Sequence, residues 1–278
     1  MKYETVEYFD SRFYKIPVSA KQATALKKSH NATIYKEGKE RFVYIPSTTT
    51  VLGIVNQRWL NHWRGDLGNE KADFVSAKAA ESGSRIHEGD YKLQLGKTLS
   101  ASDFTQDEWI QVLRFAKCFN EIRPTPFFEP ETTVYSIKHF SAGTLDLPWF
   151  IKGGTYNIGL AKQITIKEGN YIGDIKTGKA TGSIHRYQLS DYVNSTEELH
   201  GIKVEGAFVL HTQAQTAQGW KMNFSTREEM REDFKEGFLP SRKLWSAENK
   251  NLTPRVFKMP TTIKLNMGGQ DGLEKDRD

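Results

Sequence analysis

The chain has 278 residues, a net charge of +5 and a sequence pI of about 9.0, with 37% apolar and 26% charged side chains. That composition fits a folded globular chain with a substantial core, and it argues against a disordered or membrane-spanning one. The basic balance suits a polyanionic partner without demanding one, and a single cysteine, Cys118, excludes an internal disulfide framework or a self-contained four-cysteine zinc or iron–sulfur site.

The start, MKYETVEYFD, is acidic and aromatic, unlike a targeting segment, so a cytoplasmic location in a bacterium or a virus-infected host cell is expected. Residues 1–46 read as short strands with turns. Alternation on both sides of Lys36-Glu37-Gly38-Lys39 predicts a hairpin over 31–44. Apolar residues at 51, 52, 55, 59, 60 and 63 predict a helix, capped by Ser47 or a following threonine. Trp59 and Trp63 lie in it and are expected in the core, although such rings also stack on single-stranded bases. Residues 69–95 predict two helices divided near Ser82-Gly83-Ser84, and the capping box Thr105-x-x-Glu108 opens another. Cys118 falls in that last apolar run, as a buried small hydrophobe.

After Pro124 and Pro126 the pattern turns to strands, at 132–137, 143–150, 163–166 and 171–176. A helix at 183–198, strands at 204–212 and 220–224, and an amphipathic helix at 226–244 complete the pattern. The expectation is an α/β fold with a mixed central β-sheet flanked by helices, a helical N-terminal section and a disordered C-terminal tail. It is one domain over 1–250, divided into an N-terminal hairpin and helical section (1–122) and a sheet core (123–250), with a tail over 251–278.

Chemistry concentrates at Asp174-Ile175-Lys176-Thr177-Gly178. Acid-x-lysine triplets also occur at Glu37, Asp90, Asp233 and Glu248, in turn, tail or amphipathic-helix contexts where charges normally face water. Asp174 differs because it follows an apolar strand, so Asp174 and Lys176 share one face while Ile175 points to the core. Burying both is costly unless a metal ion or an anionic substrate offsets it. Asp146, in Gly143-Thr144-Leu145-Asp146-Leu147, is expected opposite Leu145 and Leu147. If the two strands pair antiparallel, Asp146 and Asp174 converge on one hard cation, Mg²⁺ or Mn²⁺, with the Ile175 carbonyl as a further oxygen donor. Lys179 and Arg186 are candidate phosphate contacts, set against the ordinary reading of basic residues facing solvent.

The motif order Gly83-Ser84-Arg85-Ile86-His87, Glu131, Gly143-Thr144-Leu145-Asp146, Asp174-Ile175-Lys176-Thr177-Gly178 and Gln188-Leu189-Ser190-Asp191-Tyr192 resembles the RecB-like branch of the PD-(D/E)XK nucleases. The resemblance covers residues 46–195 and is nearest the cluster-free phage and mitochondrial exonucleases. It implies a restriction-endonuclease-like core and a DNA exonuclease working from ends, with single strands threaded into the site. His87, Asp146 and Asp174 are the implied metal ligands, Lys176 the catalytic lysine, and Glu131 a further catalytic carboxylate. Gln188 and Tyr192 are implied to face DNA or support the site. The implied partner is DNA, with no membrane, no iron–sulfur cluster and room for a protein partner in replication or recombination. A double-strand recombination exonuclease, a structure-selective endonuclease and a catalytically silent DNA-binding subunit stand as alternatives. The chain departs from the compact family pattern in a longer stretch between Asp146 and Asp174, where 149–167 forms an extra loop or hairpin. The other six histidines, including His185 and His211, are read as structural.

Overall fold

The computed structural model describes residues 2–55, 58–161, 163–178 and 182–255, so Lys179, the Trp59 side chain and most of the expected tail lie outside it. Strands β1 (Thr5–Tyr8) and β2 (Ser11–Pro17) are followed by helix α1 (Ala20–His30), then by the expected hairpin, β3 (Tyr35–Glu37) and β4 (Glu40–Pro46). The four strands form an antiparallel sheet in the order β1-β2-β4-β3. Helix α1 corrects the expectation of strands and turns alone. Its apolar stripe is short, with Ala23 and Leu26 the buried members, but its ends are well specified. Ser19 and Gln22 make a reciprocal capping box, and Asn31 closes it in the left-handed region at φ 51°.

The single helix expected from 51 to 63 is two: α2 (Thr48–Leu52), capped by Ser47 on Thr50 N–H, and α3 (Arg58–Leu67). Trp63 is half-buried. The two helices expected over 69–95 are one, α4 (Asn69–Gln94). Gly83 does not break it, because an interior glycine costs only about 1 kcal/mol, and Ser84 Oγ donates back to the Ala80 carbonyl. Helix α5 (Gln106–Ile122) begins at the predicted capping box. Its Glu108 also accepts from Arg85 of α4 at 2.6 Å, which holds the Glu108 carboxyl down at about 2. Thr105→Ala is therefore expected to cost about 1 kcal/mol, read as a lower urea midpoint at unchanged slope.

The remaining elements are β5 (Thr125–Pro126), β6 (Thr132–Ser136), β7 (Ser141–Leu145), β8 (Leu147–Ile151), β9 (Gly154–Tyr156), β10 (Ile164–Ile166), β11 (Gly169–Lys176), α6 (Ser183–His200), β12 (Gly206–His211), β13 (Lys221–Thr226), α7 (Arg227–Asp233) and α8 (Leu239–Glu248). A π turn (Phe234–Phe238) joins the last two helices. The central sheet is mixed, in the order β13-β12-β11-β8-β5; β11 and β12 run parallel and the other neighbours antiparallel. Helix α6 is the crossover that a parallel pair requires.

Helices cover both faces of this sheet. On one face Phe115, Cys118 and Ile122 of α5 meet Trp149, Ile175, Phe208 and Leu210. On the other, Leu189, Tyr192 and Val193 of α6 and Met230 of α7 meet Ile172, Ala207 and Val209. A strand buried on both faces reads as a nearly continuous apolar run, which is why Asp174 stands out within it. Among the described residues no helix is long and apolar enough to cross a membrane.

One strand expectation is corrected in a way that shapes the site. The run 143–150 is not continuous: β7 pairs with β6 as a separate hairpin, β8 pairs with β11, and Asp146 sits at the break. Leu145 packs toward α6 and Leu147 toward α5, so the two leucines point to opposite layers rather than the same one. The extra segment after β8 folds as the small β9–β10 hairpin.

Candidate active site

The β8–β11 ladder runs from Ile151↔Gly169 to Leu147↔Gly173, so Asp146 and Asp174 are the residues just beyond its last pair, one on each side. Past that point the backbone pairing is replaced by a side chain: the Ile175 N–H donates to Asp146 Oδ2 at 3.2 Å. The Asp146 carboxyl is pushed up to about 6, chiefly by burial; His87 pulls it down and Asp174 pushes it up. His87, projecting from α4, places Nδ1 3.4 Å from the same Asp146 oxygen.

Asp174 is nearly enclosed, and both its oxygens are engaged. Gln188 Nε2 donates to Oδ1 at 3.0 Å, and Lys176 Nζ lies 2.6 Å from Oδ2. Burial acts to lower the Lys176 pKa, but contact with Asp174 and the charge of Asp146 outweigh it, so the ammonium is held more firmly than usual. Gln188 Nε2 also lies 3.2 Å from the Tyr192 hydroxyl, whose pKa burial drives well upward. Gln188 and Tyr192 are both buried, in the chain of contacts that reaches the Asp174 carboxylate. The Tyr192 ring packs directly on Gly143, where an added Cβ would fall 2.1 Å from it.

The remaining candidates are placed as follows. Glu131 adopts φ 64°, pairs with Lys2 at 3.1 Å and lines a cleft of about 670 Å³ together with Arg12, Gly83, His87 and Lys176. It therefore faces the approach to the two aspartates without joining them. Arg186 is taken up by a two-pronged ion pair with Asp233, at 2.8 and 3.0 Å, which commits its guanidinium to the α6–α7 junction rather than to an open phosphate site. Asp233 is thus not the solvated charge that its triplet suggested, and neither is Asp90, whose side chain is fully buried.

The sequence reading missed several supporting residues. Gln94 clamps the break in the strand: its Nε2 lies 3.3 Å from the Asp146 carbonyl, and its Oε1 accepts from Trp149 Nε1 at 3.0 Å. Asp191 is buried between α6, α2 and β7, with hydroxyls of Thr48 at 2.6 Å and Ser141 at 2.8 Å donating to its two oxygens. His211 lies level with Lys176 across β11–β12 and is also buried. A polar residue ending an apolar strand was the signal used for Asp174, and the same signal marks His211.

Burial is the main cause that pushes the Asp191 carboxyl up to about 7. The folded chain thus holds a proton that the unfolded chain releases near pH 4. This contribution to stability is complete below about pH 4 and is lost as pH rises toward 7, at up to about 1.4 kcal/mol per pH unit. Asp191→Asn should flatten that decline in urea unfolding followed between pH 4 and 8. An unchanged slope would show that Asp191 is ionised throughout.

One imidazole nitrogen and two carboxylates, those of His87, Asp146 and Asp174, are donor types that divalent cations accept. Two like charges held together in a largely buried place also need a counter-charge. Among the described residues, no three His, Cys, Asp or Glu side chains stand close enough together to enclose an ion unaided. Lys176, not a third donor, is what meets Asp174.

No family model matches the chain, and no curated protein does. Among solved structures it is similar to one from Eubacterium rectale that is named only provisionally as an exonuclease, with a TM-score of 0.35 and 10% identity over 66% of this chain and 77% of that one. A likeness so distant carries no argument about what this chain does.

Proposed function

We propose that the chain is a divalent-cation-dependent DNA nuclease of the PD-(D/E)XK type, RecB-like, that hydrolyses phosphodiester bonds from DNA ends, with single strands as the favoured substrate. The observation that carries this reading is the end of the β8–β11 ladder, where Asp146 and Asp174 adjoin with Lys176 two residues further on. His87, Asp146, Asp174 and the Ile175 carbonyl are the residues that would hold Mg²⁺ or Mn²⁺. Bound there, the ion supplies an activated water and neutralises charge on the phosphate.

The chain's own groups do the rest. Gln188 fixes the Asp174 carboxylate through Oδ1 and leaves Oδ2 to its charged partners. Lys176, kept protonated, donates to a phosphate oxygen as negative charge builds on it. Lys2 and Arg12 on the cleft wall, ion-paired with Glu131 and Glu7, would exchange those partners for phosphates of the strand. Asp146, with a carboxyl near 6, must give up its proton to serve as a ligand, so cleavage should rise with pH through that region.

The test is digestion of 5′- and 3′-labelled linear and circular DNA, single- and double-stranded, with Mg²⁺, Mn²⁺ or EDTA. Release of nucleotides from linear strands only, abolished by EDTA, is expected. Cutting of circles would move the reading to a structure-selective endonuclease, preference for duplex ends to a recombination exonuclease, and binding without cutting to a silent DNA-binding subunit.

A further inference from the structure

Five acidic side chains are buried among the described residues: Asp90, Glu108, Asp174, Asp191 and Asp233. Four have evident partners. Glu108 has Arg85, Asp174 has Gln188 and Lys176, Asp191 has Thr48 and Ser141, and Asp233 has Arg186. Asp90 has none: it is 0% exposed, and neither carboxyl oxygen has a hydrogen-bond partner.

An unpaired buried acid costs the fold several kcal/mol if ionised and still about 1–3 kcal/mol if neutral. A leucine or asparagine would fill the same space at less cost. The position of Asp90 suggests what the cost is for. On α4 it lies three residues after His87, whose imidazole meets the Asp146 carboxylate. It lies four residues before Gln94, whose amide meets the Asp146 carbonyl. Residues at these spacings share one helix face, so Asp90 is bracketed by two side chains that both touch Asp146. Asp146 is also the one charged neighbour that acts on it; burial first, then that charge, raises the Asp90 carboxyl well above its usual range.

We propose that Asp90 is a further anionic residue of the cation site, serving through a bound water, from the α4 side, the divalent ion that Asp146 would hold, since among the described residues no three His, Cys, Asp or Glu side chains stand close enough to ligate one ion directly. This rests on the nuclease reading and deepens it. Asp90 is an acceptor kept free of protein donors, and the ion's bound water is the donor it lacks. Without the ion it is a burden on the fold; with the ion it adds the negative charge that a divalent cation needs.

The experiment measures Mn²⁺ affinity by calorimetry, and melting temperature in EDTA and in Mn²⁺, for the parent chain, Asp90→Asn, Asp90→Leu and Asp146→Asn. Asp107→Asn, an exposed acid on α5, controls for the loss of one net charge. The expected result is that Asp90→Asn and Asp90→Leu melt at or above the parent in EDTA. Both should bind Mn²⁺ at least about tenfold more weakly and lose most of the Mn²⁺-induced rise in melting temperature. A merely structural Asp90 would change the EDTA value and leave the Mn²⁺ response intact, and that result overturns the inference. If Asp90→Asn fails to fold, Asp90→Leu carries the same comparison. Should Asp146→Asn abolish the response while both Asp90 variants keep it, the inference alone fails. Should the parent show no Mn²⁺ response at all, the nuclease reading fails and takes the inference with it.

Discussion

Lys176→Met is expected to slow DNA cleavage about a thousandfold, the effect of removing one donor to developing charge, while binding Mn²⁺ more tightly than the parent. The two effects follow from one contact. Lys176 Nζ sits 2.6 Å from Asp174 Oδ2, so it is both the donor available to a phosphate oxygen and the cation already occupying the Asp174 carboxylate. Removing it leaves Asp174 with the Gln188 amide alone, beside a second carboxylate. In EDTA the variant should lose about 3 kcal/mol of stability, as when one partner of a largely buried ion pair is removed, and Mn²⁺ should restore it. Single-turnover cleavage of a labelled strand and calorimetric Mn²⁺ titration separate the outcomes. Cleavage at the parental rate would end the assignment of Lys176 as the donor to the phosphate; weaker Mn²⁺ binding would show that the lysine helps hold the ion rather than competing with it. Asp174→Ala, by contrast, should lose cleavage and Mn²⁺ binding together.

Gly143→Ala is expected to destabilise the fold by about 3 kcal/mol, a severe case of overpacking, although the change adds one methyl group. That methyl would stand 2.1 Å from the Tyr192 ring. Tyr192 cannot move freely, because its hydroxyl is tied to Gln188, which holds Asp174. The strain should therefore pass along the chain of contacts to the carboxylates, lowering Mn²⁺ affinity as well as the urea midpoint. Gly143→Ala combined with Tyr192→Leu should recover stability without recovering Mn²⁺ affinity. A single variant as stable as the parent would show that the ring can slide aside and that the anchor is loose.

The candidate site stands out in the sequence where polar residues interrupt apolar strands. Asp174 and Lys176 could be assigned to one face from two-residue periodicity, whereas the antiparallel pairing that brings Asp146 to Asp174 was only a condition in the sequence, and the β8–β11 ladder meets it. Local reasoning failed where distant segments decide the outcome. Gly83 looked like a helix end because nothing in its neighbourhood reveals that α4 continues past it. Gly143 to Phe150 looked like one strand because every residue in it favours extended backbone; only the competing pulls of β6 and β11 divide it at Asp146. Asp90 looked like a solvated charge because its burial depends on what packs over α4, which no pattern within that helix records. Helix α1 was missed for the opposite reason. Its cap, Ser19-x-x-Gln22, was readable, but its apolar stripe is too short to register.

Asp146 belongs to neither of the strands that flank it, so the spacing of the carboxylates depends on how two separately built sheets are registered against each other. Helix α6 spans that joint, resting Tyr192 on one side and reaching Asp174 through Gln188 on the other. Substitutions along this single helix would therefore alter the spacing of the two carboxylates without touching either of them.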